Sequence, residues 1–164
     1  MDSSNGYTSD FTIYTGRSRF TSGQGLAYDV VSNLMDPSFL GRGYHLYVNN
    51  FYTSPELFRD LYARGFVACG TFRDSRRNAA HTERNALTSQ SPRGAIRWIR
   101  HQELLFVKWM DTREVSVCST IHRAFDGDTV SRNIHDKETG TWQKKNIVSP
   151  RCVVDYKFKY PGGG

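Results

Sequence analysis

The period of the hydrophobic pattern changes several times along this chain, and each change marks an element. Residues 8–14, TSDFTIY, are rich in β-branched and aromatic side chains and run into Gly16, which predicts a strand closed by a turn. From Ser22 to Met35 the apolar positions Leu26, Val30, Val31, Leu34 and Met35 follow the spacing of one helix face, and Pro37 forbids continuation much beyond it. After the turn signal GRG at 41–43, the run YHLYVNNFY reads as a buried strand whose polar end is Asn49-Asn50. Ser54 can cap a following helix with Pro55 at its first position. Leu57, Phe58 and Leu61 then recur on one side until Gly65.

FVACGTF at 66–72 predicts another strand, and the polar, arginine-rich stretch from 73 to about 94 a long loop. Three strand-like runs follow, AIRWIR, LLFVKWM and EVSVCSTIH. The turn-like HQE and DTR separate them, as in an antiparallel hairpin or meander. Residues 126–150, with Gly127, Gly140 and Pro150, read as a polar exposed excursion, and Cys152, Val153 and Val154 return to apolar character. Strands and helices first alternate and then give way to hairpins, so the fold class is α/β or α+β in layers.

Composition narrows this to one domain. The chain has 164 residues, 38% of them hydrophobic, which supports a single core and leaves little room for two. No apolar run reaches membrane-spanning length and the N-terminus carries no signal-like core, so a soluble intracellular protein is expected. Cys69, Cys118 and Cys152 are odd in number and far apart in apolar surroundings, the pattern of buried free thiols.

The net charge of +6 is concentrated in one place. Residues 73–100 hold Arg73, Arg76, Arg77, Arg84, Arg93, Arg97 and Arg100 against only Asp74 and Glu83. The planar guanidinium fork suits phosphate oxygens, so this stretch is a candidate nucleic-acid surface; the alternative is a solvated basic loop. His122 has no second ligand at local metal spacing and reads as structural, and Trp98 and Trp109 as sheet packing.

Several runs resemble the catalytic core of piggyBac-type DNA transposases and the host proteins derived from them. They are DSSNGY and YTG near the start, LYVNNFYTSPELF, GFVACGTFR, LLFVKWMDTREVSVCSTIH, and VVDYKFKYPGG near the end, in order over essentially the whole chain. The resemblance implies an RNase H-like domain over 1–164, a mixed sheet flanked by helices, with an Arg-rich loop and β-rich insertion at 74–150. It also implies that the family's first strand and C-terminal part lie outside this sequence. Such enzymes hold Mg²⁺ or Mn²⁺ on three aspartates, because phosphoryl transfer puts charge on both the attacking and leaving oxygens and two hard cations stabilise both.

Matched residue by residue, Asp2 takes the place of the first aspartate and is the expected catalytic and metal ligand. The second aspartate opens the family's D-N-[FW]-[FY]-T-S run, and this chain has Asn49 there. The third follows Gly-Gly-Val in the family, where this sequence ends in Gly162, Gly163 and Gly164. An amide brings no charge to bridge two cations, so metal is not expected to bind productively and the chain is expected to be inactive. The family's partner is DNA, with Arg73, Arg76, Arg77, Arg84 and Arg93 the expected contacts and a nuclear location implied. Self-association is a further expectation. The competing readings are a domesticated interaction or scaffold module and a transposon relic without a role.

Overall fold

The structure, a computed structural model, describes Asn5, Thr8 and residues 22–80, 86–136 and 138–160. The strand expected at 8–14 lies outside the described residues apart from Thr8. Four helices and seven strands follow in the order α1 (Leu26–Leu34), α2 (Pro37–Leu40), β1 (His45–Val48), α3 (Pro55–Ala63), β2 (Val67–Thr71), β3 (Ile96–His101), β4 (Leu104–Met110), β5 (Glu114–Ser119), β6 (Thr129–His135), β7 (Trp142–Val148) and α4 (Arg151–Lys159).

Five strands form one mixed sheet in the order β1-β2-β5-β4-β3. Among the described residues only β1 and β2 are parallel, with Val48 opposite Gly70, and α3 is the crossover between them. The remaining neighbours are antiparallel, β3-β4-β5 being the expected meander. β6 and β7 make a separate antiparallel ribbon. Among the described residues no helix is long and apolar enough to cross a membrane.

The sheet is covered on both faces, which explains why β4 reads as an apolar run interrupted only by Lys108 rather than as an alternating one. Leu104 and Phe106 pack with Val31 and Met35 from α1 and its end and with Leu57, Phe58 and Leu61 of α3. Leu105, Val107 and Trp109 face the other way, against Cys152, Val153 and Tyr156 of α4. Each such fully buried side chain contributes about 1.5–3 kcal/mol. Cys69, Cys118 and Cys152 are buried free thiols, as their surroundings in the sequence predict.

Local chemistry sets the helix ends. The Ser54 hydroxyl accepts from Leu57 N–H and Pro55 opens α3, while Gly65 follows its end at φ +86°, a conformation that favours glycine. At the end of α1, the Arg64 guanidinium donates to the carbonyls of Ser32 and Met35 at 3.1 and 3.2 Å. Pro37 ends the first helical pattern as expected but also starts a further turn, α2. There the Asp36 carboxylate accepts from Ser38 N–H at 2.8 Å. Two segments differ from their sequence reading. The polar excursion at 126–150 contains the regular ribbon β6–β7, and the apolar return at Cys152 is the helix α4.

Candidate functional site

Asn49 sits at the C-terminal end of β1, where the chain leaves the sheet. Its side-chain oxygen accepts from Phe51 N–H at 3.0 Å, an Asx turn, and its carbonyl takes Thr53 N–H at 3.1 Å and the Thr53 hydroxyl at 2.9 Å. The Arg76 guanidinium donates to the carbonyls of Asn50 and, at 3.1 Å, Phe51. The turn that carries Asn49 is thus held from inside by Thr53 and from outside by Arg76.

A cleft of about 600 Å³ opens beside this turn, between Asn49 and Asn50 on one side and Asp111, Arg113, Tyr156 and Lys157 on the other. Asp111 lies in the β4–β5 turn and draws three cations together. Arg93 Nη2 is 2.6 Å from it, Arg132 Nε 3.0 Å and Lys157 Nζ 3.9 Å. Burial works to raise the Asp111 carboxyl, but hydrogen bonds from Arg93 and Arg132 outweigh it and hold the group below its ordinary value. Burial, aided by Arg132, pushes the Lys157 ammonium down.

The donor set does not suit a pair of hard cations. Asn49 offers one neutral oxygen already engaged by an N–H, and Asp111 is neutralised by its own arginines. Among the described residues no three His, Cys, Asp or Glu side chains stand close enough to hold an ion. Asp2 lies outside the described residues.

The arginines expected to contact DNA divide into two groups. Arg73 and Arg77 are exposed, and their side chains make no hydrogen bond or ion pair with the described residues. Arg76 and Arg93 are engaged within the fold, on the Asn49 turn and on Asp111. Arg84 lies outside the described residues. The loop they occupy is anchored at its start by Lys108 of β4, whose ammonium lies 2.5 Å from Asp74 and 3.2 Å from Glu114. Burial pulls Lys108 down, but those two carboxylates outweigh it and leave its pKa raised.

One constellation escaped the sequence reading because it joins residues 33 positions apart. His122 has Ser119 Oγ 2.7 Å from Nδ1 and Asp155 Oδ2 3.1 Å from Nε2. Ser119 is wholly buried and its hydroxyl also accepts from Ile121 and His122 N–H, so this chain of groups ties β5 to α4 rather than presenting a nucleophile. Arg151 extends the tie, reaching Asp155 at 2.9 Å and Asp128 at 3.1 Å. The carboxylate that meets His122 is not the nearby Asp126 or Asp128 but Asp155, supplied by the last helix. Trp109 is buried and donates from Nε1 to Val148 O at 2.7 Å, as packing predicts, whereas Trp98 is about half exposed on β3.

The mixed sheet, with α3 as a parallel crossover and helices packed on both faces, has its cleft at the end of β1. The family model described as Transposase IS4 matches residues 1–162, and the chain belongs to that family. Among solved structures, the cryo-EM structure of the piggyBac transposase synaptic complex with hairpin DNA has the same fold. The TM-score is 0.66 at 21% identity, over 91% of this chain. The match takes in 28% of that protein, so this chain spans less than a third of it.

Proposed function

We propose that this chain is a transposase-derived domain that contacts DNA but does not cleave it. The observation that carries the reading is Asn49. It occupies the position of the second metal-binding aspartate in the resembling motif, and its only side-chain acceptor is engaged in the turn that shapes the cleft. With a neutral amide at Asn49, and with the cleft's Asp111 and Glu114 paired with Arg93, Arg132 and Lys108, the cleft is short of the free negative charge that two divalent cations require. When bound in this family, such ions supply the activation of water and the stabilisation of the leaving oxygen. The residues described here shape the cleft and hold its turn.

DNA contact rests on the exposed Arg73 and Arg77, with electrostatic rather than base-specific character. The solved relative is a complex with hairpin DNA. The proposed DNA contact favours a nuclear location.

The test uses the purified chain with labelled transposon-end DNA and Mg²⁺ or Mn²⁺. No nicking or strand transfer is expected while Asn49 stands in place of the aspartate. Metal-dependent cleavage by the chain overturns the inactive reading. Failure to bind duplex DNA at about 50 mM salt overturns the DNA-contact reading.

A further inference from the structure

The β6–β7 ribbon has two different faces. Its inner face is fixed at the root: Val130 and Ile147 pack into the second core, and Arg132 bonds Asp111 and lies 5.9 Å over the Trp109 ring. The register then dictates the outer face. Asn133 stands opposite Lys144, Ser131 opposite Asn146, His135 opposite Trp142 and Thr129 opposite Val148, and all eight side chains are exposed. At the tip the His135 and Trp142 rings meet edge to face at 5.2 Å, with Trp142 71% exposed.

That outer face contains no carboxylate. Asp136 belongs to the turn, where its side chain accepts from Glu138 and Thr139 N–H and from the Gln143 amide, and Glu138 follows it there. At the root Asp128 is paired with Arg151. An ammonium, amides, hydroxyls and an imidazole are donors and acceptors in search of a polar surface; an apolar protein interface would need more than Trp142 at the tip and Val148 at the root. Two strands about 4.8 Å apart with their side chains make a ribbon of the kind that a B-DNA major groove, about 12 Å wide, admits.

We infer that the outer face of β6–β7 is a second DNA-contact element that enters the major groove of a duplex. Asn133, Lys144 and Asn146 meet base edges there, and Trp142 packs on the backbone at the tip. The inference rests on the DNA-contact reading above and adds a site to it, since no residue of the ribbon's outer face belongs to the arginine cluster. Lysine and asparagine are suited to guanine and adenine edges respectively, so this element adds base discrimination to the phosphate contacts proposed for Arg73 and Arg77.

The test measures binding of a fluorescein-labelled duplex by the full chain, with dimethyl sulfate probing of guanine N7, which faces the major groove. The parent chain should protect guanine N7 and show a change in tryptophan emission on DNA addition that Trp142→Phe abolishes. Lys144→Glu with Asn146→Ala should weaken binding about tenfold and remove the protection, with far-UV circular dichroism unchanged. Parental affinity in that double variant, with guanine N7 fully reactive in the parent complex, overturns the inference and leaves binding through Arg73 and Arg77 standing. Absence of any binding by the parent at about 50 mM salt overturns both. A dimer of the parent that Trp142→Ala dissolves, with no change in DNA affinity, assigns this face to a second copy and overturns the inference as well.

Discussion

Thr53 stands directly against Gly70, and nothing larger than a hydrogen fits between them. A β-carbon at Gly70 would run into the Thr53 hydroxyl and come within 2.8 Å of the Val48 carbonyl. Thr53 is wholly buried and its hydroxyl donates to the Asn49 carbonyl, so the turn at the end of β1 is fitted onto the neighbouring strand through this one contact. Gly70→Ala should therefore lower stability by about 1–3 kcal/mol, the ordinary cost of overpacking. Adding Thr53→Ala should cost less than the sum of the two single changes, because the second removes part of the clash that the first creates. Urea unfolding of the parent, both single variants and the double variant measures the coupling; strict additivity would show that the two residues are not tightly packed.

How much of this was legible in the sequence depended on distance along the chain. Ser54, Pro55 and Gly65 announce α3 because capping is local, and LLFVKWM announces a strand buried on both faces because six of its seven residues are apolar. Residues 126–150 concealed a ribbon because its alternation is mostly of polar residues, with only Val130, Ile134 and Ile147 to mark the inner face. α4 was hidden by its short apolar start. The functional residues divide in the same way. Asn49 was found from its motif, but the tertiary partners of Arg76, Arg93 and His122 come from elements 25, 18 and 33 positions away, beyond any spacing rule.

The arginine cluster should split in solution as it does in the fold. Arg73→Ala with Arg77→Ala should leave stability within about 0.5 kcal/mol, since neither side chain holds anything in place. The same pair should reduce the magnitude of the salt slope of DNA binding by about 2, close to 0.9 for each phosphate that is no longer neutralised. Arg76→Ala should do the reverse. It frees the carbonyls of Asn50 and Phe51, which costs about 1 kcal/mol of stability. Titrations at several salt concentrations beside thermal melts separate the two; an unchanged slope in the first variant moves the phosphate-binding residues elsewhere.

Asp111 should affect stability and DNA affinity in opposite directions. Its carboxylate is only 13% exposed and gathers Arg93, Arg132 and Lys157. Asp111→Asn should lower stability by on the order of 2–3 kcal/mol, the scale of charge-assisted hydrogen bonds removed while their cations stay behind. Arg93 and Arg132, no longer neutralised, should then tighten DNA binding at low salt and steepen its salt dependence. A variant that loses stability and DNA affinity together would place these cations away from any phosphate.

His122 makes the fold sensitive to mildly acid pH, and the sign follows from its burial. Its side chain is 4% exposed, between Ser119 and Asp155. Burial disfavours the imidazolium; Asp155 favours it but does not win, so the pKa lies below its ordinary value. The unfolded chain, with an ordinary histidine pKa near about 6.5, then binds the proton more readily than the folded one. The His122 contribution is complete above about 6.5 and is lost as the pH falls through the lower folded-state pKa. Asp111 acts in a separate window, since a depressed carboxyl loses its contribution only well below its ordinary value near about 3.9. His122→Gln keeps a donor and an acceptor but removes the titration. The variant should be less stable than the parent at about pH 7.5, and the difference between them should shrink towards about pH 5.5. Urea midpoints across that range measure the difference, and proton NMR of the His122 ring locates its titration. A midpoint above the ordinary histidine value, with the difference growing in acid, would mean that Asp155 outweighs burial and that the tie between β5 and α4 tightens on protonation.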